Sequence, residues 1–507
     1  MSLIFRRGCG AVLAYSFVAQ TAVADVTAAD VWADWQAYLN GVGYTVTGDE
    51  STSGSVTTIS NMTLSMEIPD TKDLFKMVVP EMTLTENGDG TVSIGLPESF
   101  PMTISGEAED ETFSADLLYT HDGLNMVVSG TPEEMTYDYS AASLGIALDE
   151  MKFGDETVPS DVLGVSVNLN DLAGSSQMKV GEVRDIEQNF TAADLTYDLA
   201  FDDPESDDTG RISGKLDQLT FEGDTVIPSD VDFSDVKNIY DAGFAASGIF
   251  TYGSGNTEIA GSSEGQPFTM ASSSQGGKFS GSIDAQRIVY DLLQNSSTLA
   301  VTTSDLPFPI EIAMEQAGLK FEFPVQASEE IQPFGFAINL TDFTMSDVLW
   351  SLFDPAGALP RDPATVSLDA TGTAKVLIDF MDPEAVEELE VAGTMPGELH
   401  SLQINELLVS MVGTRLTGDG NFTFDNSNVN ALGEFPVPAG VANLQLVGAN
   451  GLIDTLIGMG LVTDQDAMGA RMMMGLMAVP GEEPDTLNSK IEFTEDGQIL
   501  ANGQRIK

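Results

Sequence analysis

The stretch Asn61-Met62-Thr63-Leu64-Ser65-Met66-Glu67-Ile68 alternates polar and apolar residues with a period of two. Successive side chains of a β-strand point to opposite faces, so Met62, Leu64, Met66 and Ile68 share an apolar face, and the polar partners between them face water. The same texture returns at Met82 and Leu84, at Val92, Ile94 and Leu96, at Leu195, Tyr197, Leu199 and Phe201, at Phe321, Phe323 and Val325, and at Leu402 and Ile404. Between the runs stand Asn87-Gly88-Asp89-Gly90, Asp122-Gly123, Gly253-Ser254-Gly255-Asn256 and Gly418-Asp419-Gly420, residue types that accept the positive φ of tight turns. The fold class that follows is mainly β: an elongated, twisted antiparallel meander.

Helical spacing interrupts this pattern in a few places. Val31, Trp32, Trp35, Tyr38 and Leu39 predict an amphipathic helix over Thr27 to Gly41 that packs on the following sheet. Short bridging helices are expected near Ser234 to Gly243 and over Ser346 to Phe353, the second halted by Asp354-Pro355. Near the C-terminus Leu452, Ile453, Leu456 and Ile457 mark one helix. Thr463, three residues before Asp466, starts a second that carries Met468, Met472 and Leu476 on one face. A closing hairpin follows, Ile491 to Thr494 and Ile499-Leu500 on either side of Asp496-Gly497. The Gly/Ser-rich piece from Gly253 to Gly281 and the Pro-rich piece from Asp354 to Pro363 read as connections or long loops. Placing a boundary near Ala246 divides the chain into residues 25–246, the N-terminal helix and a β lobe, and 247–507, a C-terminal β lobe with the helix pair and hairpin.

Arg6 and Arg7, an apolar run from Ala11 to Ala19, and Ala22-Val23-Ala24 before Asp25 have the charged, apolar and small-residue order of a secretory signal peptide over residues 1–24. The expected location is therefore periplasmic, by export through a cleaved signal, with an uncleaved N-terminal anchor as the alternative. Cleavage would remove Cys9, the sole cysteine, leaving burial and hydrogen bonds to stabilise the chain without a disulfide. It would also leave 79 acidic side chains against 18 basic ones, a formal charge of -61. A surface so acidic repels phosphate backbones, which excludes general nucleic-acid binding.

No catalytic constellation emerges. Only His121 and His400 could serve a Ser-His-Asp arrangement; His121 falls in a turn and His400 begins an alternating run. The acidic cluster Asp202, Asp203, Glu205, Asp207 and Asp208 lacks the spaced ligands of a helical calcium loop and reads as a solvated loop. Met472, Met473 and Met474 project about 100° apart on a helix and cannot converge on one copper ion, so the Met-rich segment reads as an adaptable apolar face. No catalytic, cofactor-binding or metal residue is assigned.

The Val31-Trp32-Ala33-Asp34-Trp35 helix resembles the exported family known as domain of unknown function 2125, found in Gram-negative bacteria. So do Val348-Leu349-Trp350-Ser351-Leu352-Phe353-Asp354-Pro355 with Leu359-Pro360-Arg361-Asp362-Pro363, and the Gly451-Leu452-Ile453 helix with its Asp496-Gly497 hairpin. The β texture is more distantly similar to AsmA-like envelope proteins, whose long curled sheets are associated with lipid handling. The expectation is a non-enzymatic envelope protein binding or passing a lipid-like or apolar ligand on a curved β surface, with lipid or other envelope proteins as partners. The alternative is a scaffold of closed β lobes without a small-molecule ligand.

Overall fold

A computed structural model describes residues 25–67, 74–108, 111–154, 156–159, 162–202, 206, 208–229, 236–392, 395–427 and 436–506. The signal-peptide reading, Ile68 and three members of the acidic cluster, Asp203, Glu205 and Asp207, lie outside them.

The chain begins with helix α1 (Ala28–Gly41), started by a reciprocal capping box between Thr27 and Asp30. Strands β1 (Thr45–Ser53), β2 (Val56–Glu67), β3 (Leu74–Glu86), β4 (Val92–Gly95), β5 (Ser99–Ala108), β6 (Glu111–Asp122) and β7 (Asn125–Thr131) follow. Next come β8 (Glu134–Phe153), β9 (Glu156–Val158), β10 (Leu163–Val180), β11 (Val183–Asp202) and β12 (Thr209–Pro228), then α2 (Val236–Asp241). The middle holds β13 (Ala245–Tyr252), β14 (Ser254–Ser263), β15 (Gln266–Ser274), β16 (Gly277–Ile283), β17 (Arg287–Thr303), β18 (Ile310–Pro324) and β19 (Gln332–Met345). The last part is α3 (Asp347–Phe353), β20 (Ala364–Val376), α4 (Pro383–Ala392), β21 (Gly397–Met411), β22 (Thr414–Asp425), β23 (Val437–Val447), α5 (Ala449–Gly458), α6 (Asp464–Met477), β24 (Val479–Pro480), β25 (Thr486–Phe493), β26 (Ile499–Ala501) and β27 (Gln504–Arg505).

All these strands belong to one antiparallel sheet. Most pair with their sequence neighbours. Where a long strand meets two short ones they sit end to end: β6 and β7 both pair with β8, β13 and β14 with β12, and β15 and β16 with β17. The N-terminal helix, the bridging helices, the C-terminal helix pair and the closing hairpin are where sequence places them; α4 is additional. The Gly/Ser-rich piece is not a loop. It forms β14, β15 and β16, and two of its glycines lie opposite aromatic residues on neighbouring strands, Gly261 opposite Phe268 and Gly277 opposite Tyr252. Ala246 lies inside β13, paired with Thr225 on one side and Ile283 on the other.

A crease runs across the strands. Asn61, Asp171, Gln218, Ser296 and Asp342 have φ between 45° and 56°, inside otherwise extended strands. On at least one side of each the ladder keeps its register: Ser60 faces Glu81 and Met62 faces Val79, while Asn295 faces Gln316 and Ser297 faces Met314. On the other side of Asn61 the register shifts between Thr47 and Asp49, and on the other side of Asp342 it shifts between Leu340 and Phe343. Asp171 and Gln218 flank Ala193, and Ser296 and Asp342 flank Glu315, so within each of these two trios the left-handed residues stand on the outer strands. Each left-handed residue inverts the alternation, so two consecutive side chains point away from the apolar face and apolar residues recur at a spacing of three: Ile59 and Met62, Val79 and Met82, Leu169 and Leu172, Leu216 and Leu219, Leu340 and Phe343. Ile59, Met62, Val79 and Met82 share one buried cluster, which unbroken alternation would forbid. The outward pairs carry a polar ladder, with Asn170 donating to Asp194, Gln316 to Asn295, and Asn339 to Gln316.

Asn and Asp tolerate the left-handed region, whereas a β-branched residue there is strained. Asn61→Val is therefore expected to destabilise by about 1–2 kcal/mol and Asn61→Gly by less than about 0.5 kcal/mol, read from urea unfolding midpoints.

Candidate functional site

At its N-terminal end the sheet is sealed. Helix α1 places Val31 and Trp32 against Val46, Ile59, Met62, Leu64, Leu84, Val92, Val128, Met135 and Tyr137 in one buried cluster. The indole Nε1 of Trp32 donates to Glu50 at 2.7 Å. Asp34, buried on α1, pairs at 2.7 Å with Arg184 of β11 and accepts the Tyr137 hydroxyl at 3.3 Å; the guanidinium lies 5.2 Å from the centre of the Tyr38 ring. Burial, and then the negative charge of Asp34, push the Tyr137 hydroxyl well above its ordinary pKa, so it stays a protonated donor.

Beyond this seal the apolar face is open. Residues directly opposite across a ladder share a face, so the register traces rows of side chains running across the strands. One row is Phe190, Phe221, Phe250, Phe279, Leu292, Leu319, Ile338, Leu368 and Leu407, on β11, β12, β13, β16, β17, β18, β19, β20 and β21. At a strand spacing of about 4.8 Å it spans roughly 38 Å. Beyond the crease a second row joins Val165, Leu199, Ile212, Ile259, Met270, Val301 and Ile310. Leu199, Phe201 and Ile212 line a cleft of about 620 Å³ with Leu163, Val165, Ile259 and Phe268.

Among the described residues no second layer closes these walls. Leu292 is 47% exposed, Tyr290 48%, Phe201 53% and Leu199 40%, far from the near-zero exposure of the sealed cluster. The accessible surface, 29544 Å², exceeds the roughly 18,000 Å² expected of a compact monomer of this mass. Glycine keeps the wall low: a Cβ on Gly223 would stand 2.7 Å from Phe221, so the Phe221 ring lies flat over the backbone. Leu64, which sequence alternation groups with Leu199, belongs to the sealed end at 7% exposure, so only Leu199 faces the open wall.

The other residues weighed from sequence are scattered. His121 lies within β6, one residue before Asp122 ends the strand, with Nε2 3.2 Å from the Leu96 carbonyl; the turn begins at Gly123. His400 is on β21, 3.8 Å from Glu398. Among the described residues no group of three or more His, Cys, Asp or Glu side chains is placed to hold a metal ion. Met468 and Met472 lie on the outer side of α6, 68% and 70% exposed.

One buried carboxylate was hidden from sequence reading. Asp354, fully buried after α3, accepts the backbone N–H of Ala358 at 2.8 Å and of Leu359 at 2.9 Å, and so fixes the Pro-rich loop. The adjacent Arg361 pairs with Asp347, its guanidinium 5.8 Å from the centre of the Trp350 ring.

No family profile matches this chain, and no curated protein does. Among solved structures, the ferric citrate transporter FecA in its unliganded form aligns over 89% of this chain and 74% of its own, at 8% identity and a TM-score of 0.15. That score carries no argument about fold or function. Among the described residues no helix is long and apolar enough to cross a membrane.

Two outcomes test the supports of this wall. Asp34→Ala leaves Arg184 buried without its partner and is expected to cost about 3–5 kcal/mol in urea unfolding, while Asp34→Leu with Arg184→Met recovers most of the loss. The Leu359 N–H, and then that of Ala358, hold the Asp354 carboxyl below its ordinary pKa. A lowered folded pKa contributes stability that is fully present above the unfolded value and is lost as pH falls through the folded one. The melting-temperature gap between wild type and Asp354→Asn should thus stay constant above about pH 5 and narrow below about pH 4.

Proposed function

We propose that this chain is a non-enzymatic protein of the cell envelope, exported to the periplasm, that holds or passes a lipid-like molecule along the open apolar face of its sheet. The observation that carries this reading is the row from Phe190 to Leu407, unbroken over nine strands, with Phe279, Leu292 and Leu319 each more than 40% exposed. Monomeric soluble proteins rarely leave a contiguous apolar surface of this extent in water, and such surfaces mark ligand grooves or interaction sites. The row runs across the strands, so the matching ligand is long and narrow, an acyl or isoprenoid chain lying along the trough. Flat rings over glycine, and aliphatic side chains without polar partners, offer burial and no hydrogen-bond code, which suits selection by length and shape.

Native mass spectrometry of the protein purified from its own cells, with solvent extraction of what travels with it, tests this reading. Lipid at one or a few copies per chain is expected, lost in Leu292→Glu with Leu319→Glu while the melting temperature stays within a few degrees, because both side chains are already half in water. A bare protein mass from the wild type would overturn it and leave a scaffold with an unfilled wall.

A further inference from the structure

The long row does not end at β21. Leu407 faces Gly418, and Gly418 faces Leu444 on β23, so the same face continues to the C-terminal end of the sheet. There Leu416, Leu444 and Leu446 form the floor of a cavity of about 220 Å³ roofed by Met473, Met474 and Met477 of α6. The pocket is half-open and its lining is almost wholly apolar, so an alkyl group entering it exchanges water for contact with Leu and Met side chains.

The roof is held at its edges. Arg471 pairs with Asp454 at 2.6 Å and donates to Asn450 at 3.2 Å, and the Met477 carbonyl accepts Ser489 Oγ at 2.6 Å and Asn502 Nδ2 at 3.0 Å. Between these ties the contact with the sheet is made by unbranched thioether chains, which re-pack around an inserted group with little strain.

We propose that the cavity beneath α6 is the terminal subsite of the trough and takes the methyl end of a single alkyl chain lying along the row. This rests on the ligand-binding reading above, from which it is separable by experiment. The probe is 1-dodecanol, and the readout is the methyl resonances of protein labelled at methionine methyls. Met474 and Met477 report the cavity; Met270, on the open wall of the second row, reports binding elsewhere on the face.

Shifts at Met474 and Met477 are expected in the wild type from a chain on the long row, and a shift at Met270 from a further dodecanol molecule on the second row. Ala478→Leu, which adds three carbons to the cavity wall, should abolish the shifts at Met474 and Met477, leave that at Met270, and weaken dodecanol binding roughly tenfold, the worth of about two buried methylenes. Leu446→Phe, filling the floor, should do the same, and the retained Met270 response shows that either variant is folded. A Met270 shift without shifts at Met474 and Met477 in the wild type overturns the subsite and spares the open wall. Silence at all three methyls overturns both, and shifts at Met474 and Met477 that persist in both filled variants overturn the subsite.

Discussion

A sheet one layer thick cannot bury its apolar face unless something lies on it. Among the described residues every strand is committed to a single ladder, and none forms a separate second sheet. The backbone is satisfied along the ladder, but the alternating side chains place one face of Leu, Ile, Phe and Tyr in a row with nothing opposite. Each remaining feature answers that constraint locally: α1 seals the first end, α6 roofs the last, and rings fold onto glycine between them. What those devices leave uncovered is the row of half-exposed side chains that includes Phe279, Leu292 and Leu319.

The two ends solve the same problem with different chemistry. At the first, branched and aromatic side chains pack to near-zero exposure and the helix is tied by a buried ion pair, Asp34 to Arg184, whose partners are costly to separate. At the last, the helix carries methionines over a cavity and its ties are exposed polar contacts at its margins. A close-packed helix and a methionine-bearing one thus stand at opposite ends of one apolar face.

Much of this was legible in the sequence. Period-two alternation located the strands, the helical spacing of Val31, Trp32, Trp35, Tyr38 and Leu39 located α1, the Thr463 cap located α6, and Asp496-Gly497 located the closing hairpin, because each signal is local. The crease was not legible, because a spacing of three inside an alternating run, such as Ile59 to Met62, reads as the end of one strand and the start of another. Only the partner strand shows that pairing continues through Asn61. The Gly/Ser-rich stretch from Gly253 to Gly281 misled for a related reason: Gly261, Gly277 and Gly281 are strand residues paired with Phe268, Tyr252 and Tyr290 across the ladder, a non-local fact. The open wall escaped too, since alternation identifies an apolar face without saying what covers it, as the contrast between sealed Leu64 and open Leu199 shows.

The ladder joins strands that are near one another in the chain, as β17 to β18 to β19 to β20, and its longer detours include the steps from β4 to β7, β12 to β14 and β23 to β25. Loop-closure entropy is therefore small at almost every step, and a strand can dock as soon as its predecessor is in place. On this topology the sheet would grow outward from any formed hairpin, each added strand extending the apolar face by one rung. Truncation from the C-terminus would then shorten the molecule and leave its earlier part folded, as in repeat proteins whose stability is summed over neighbours.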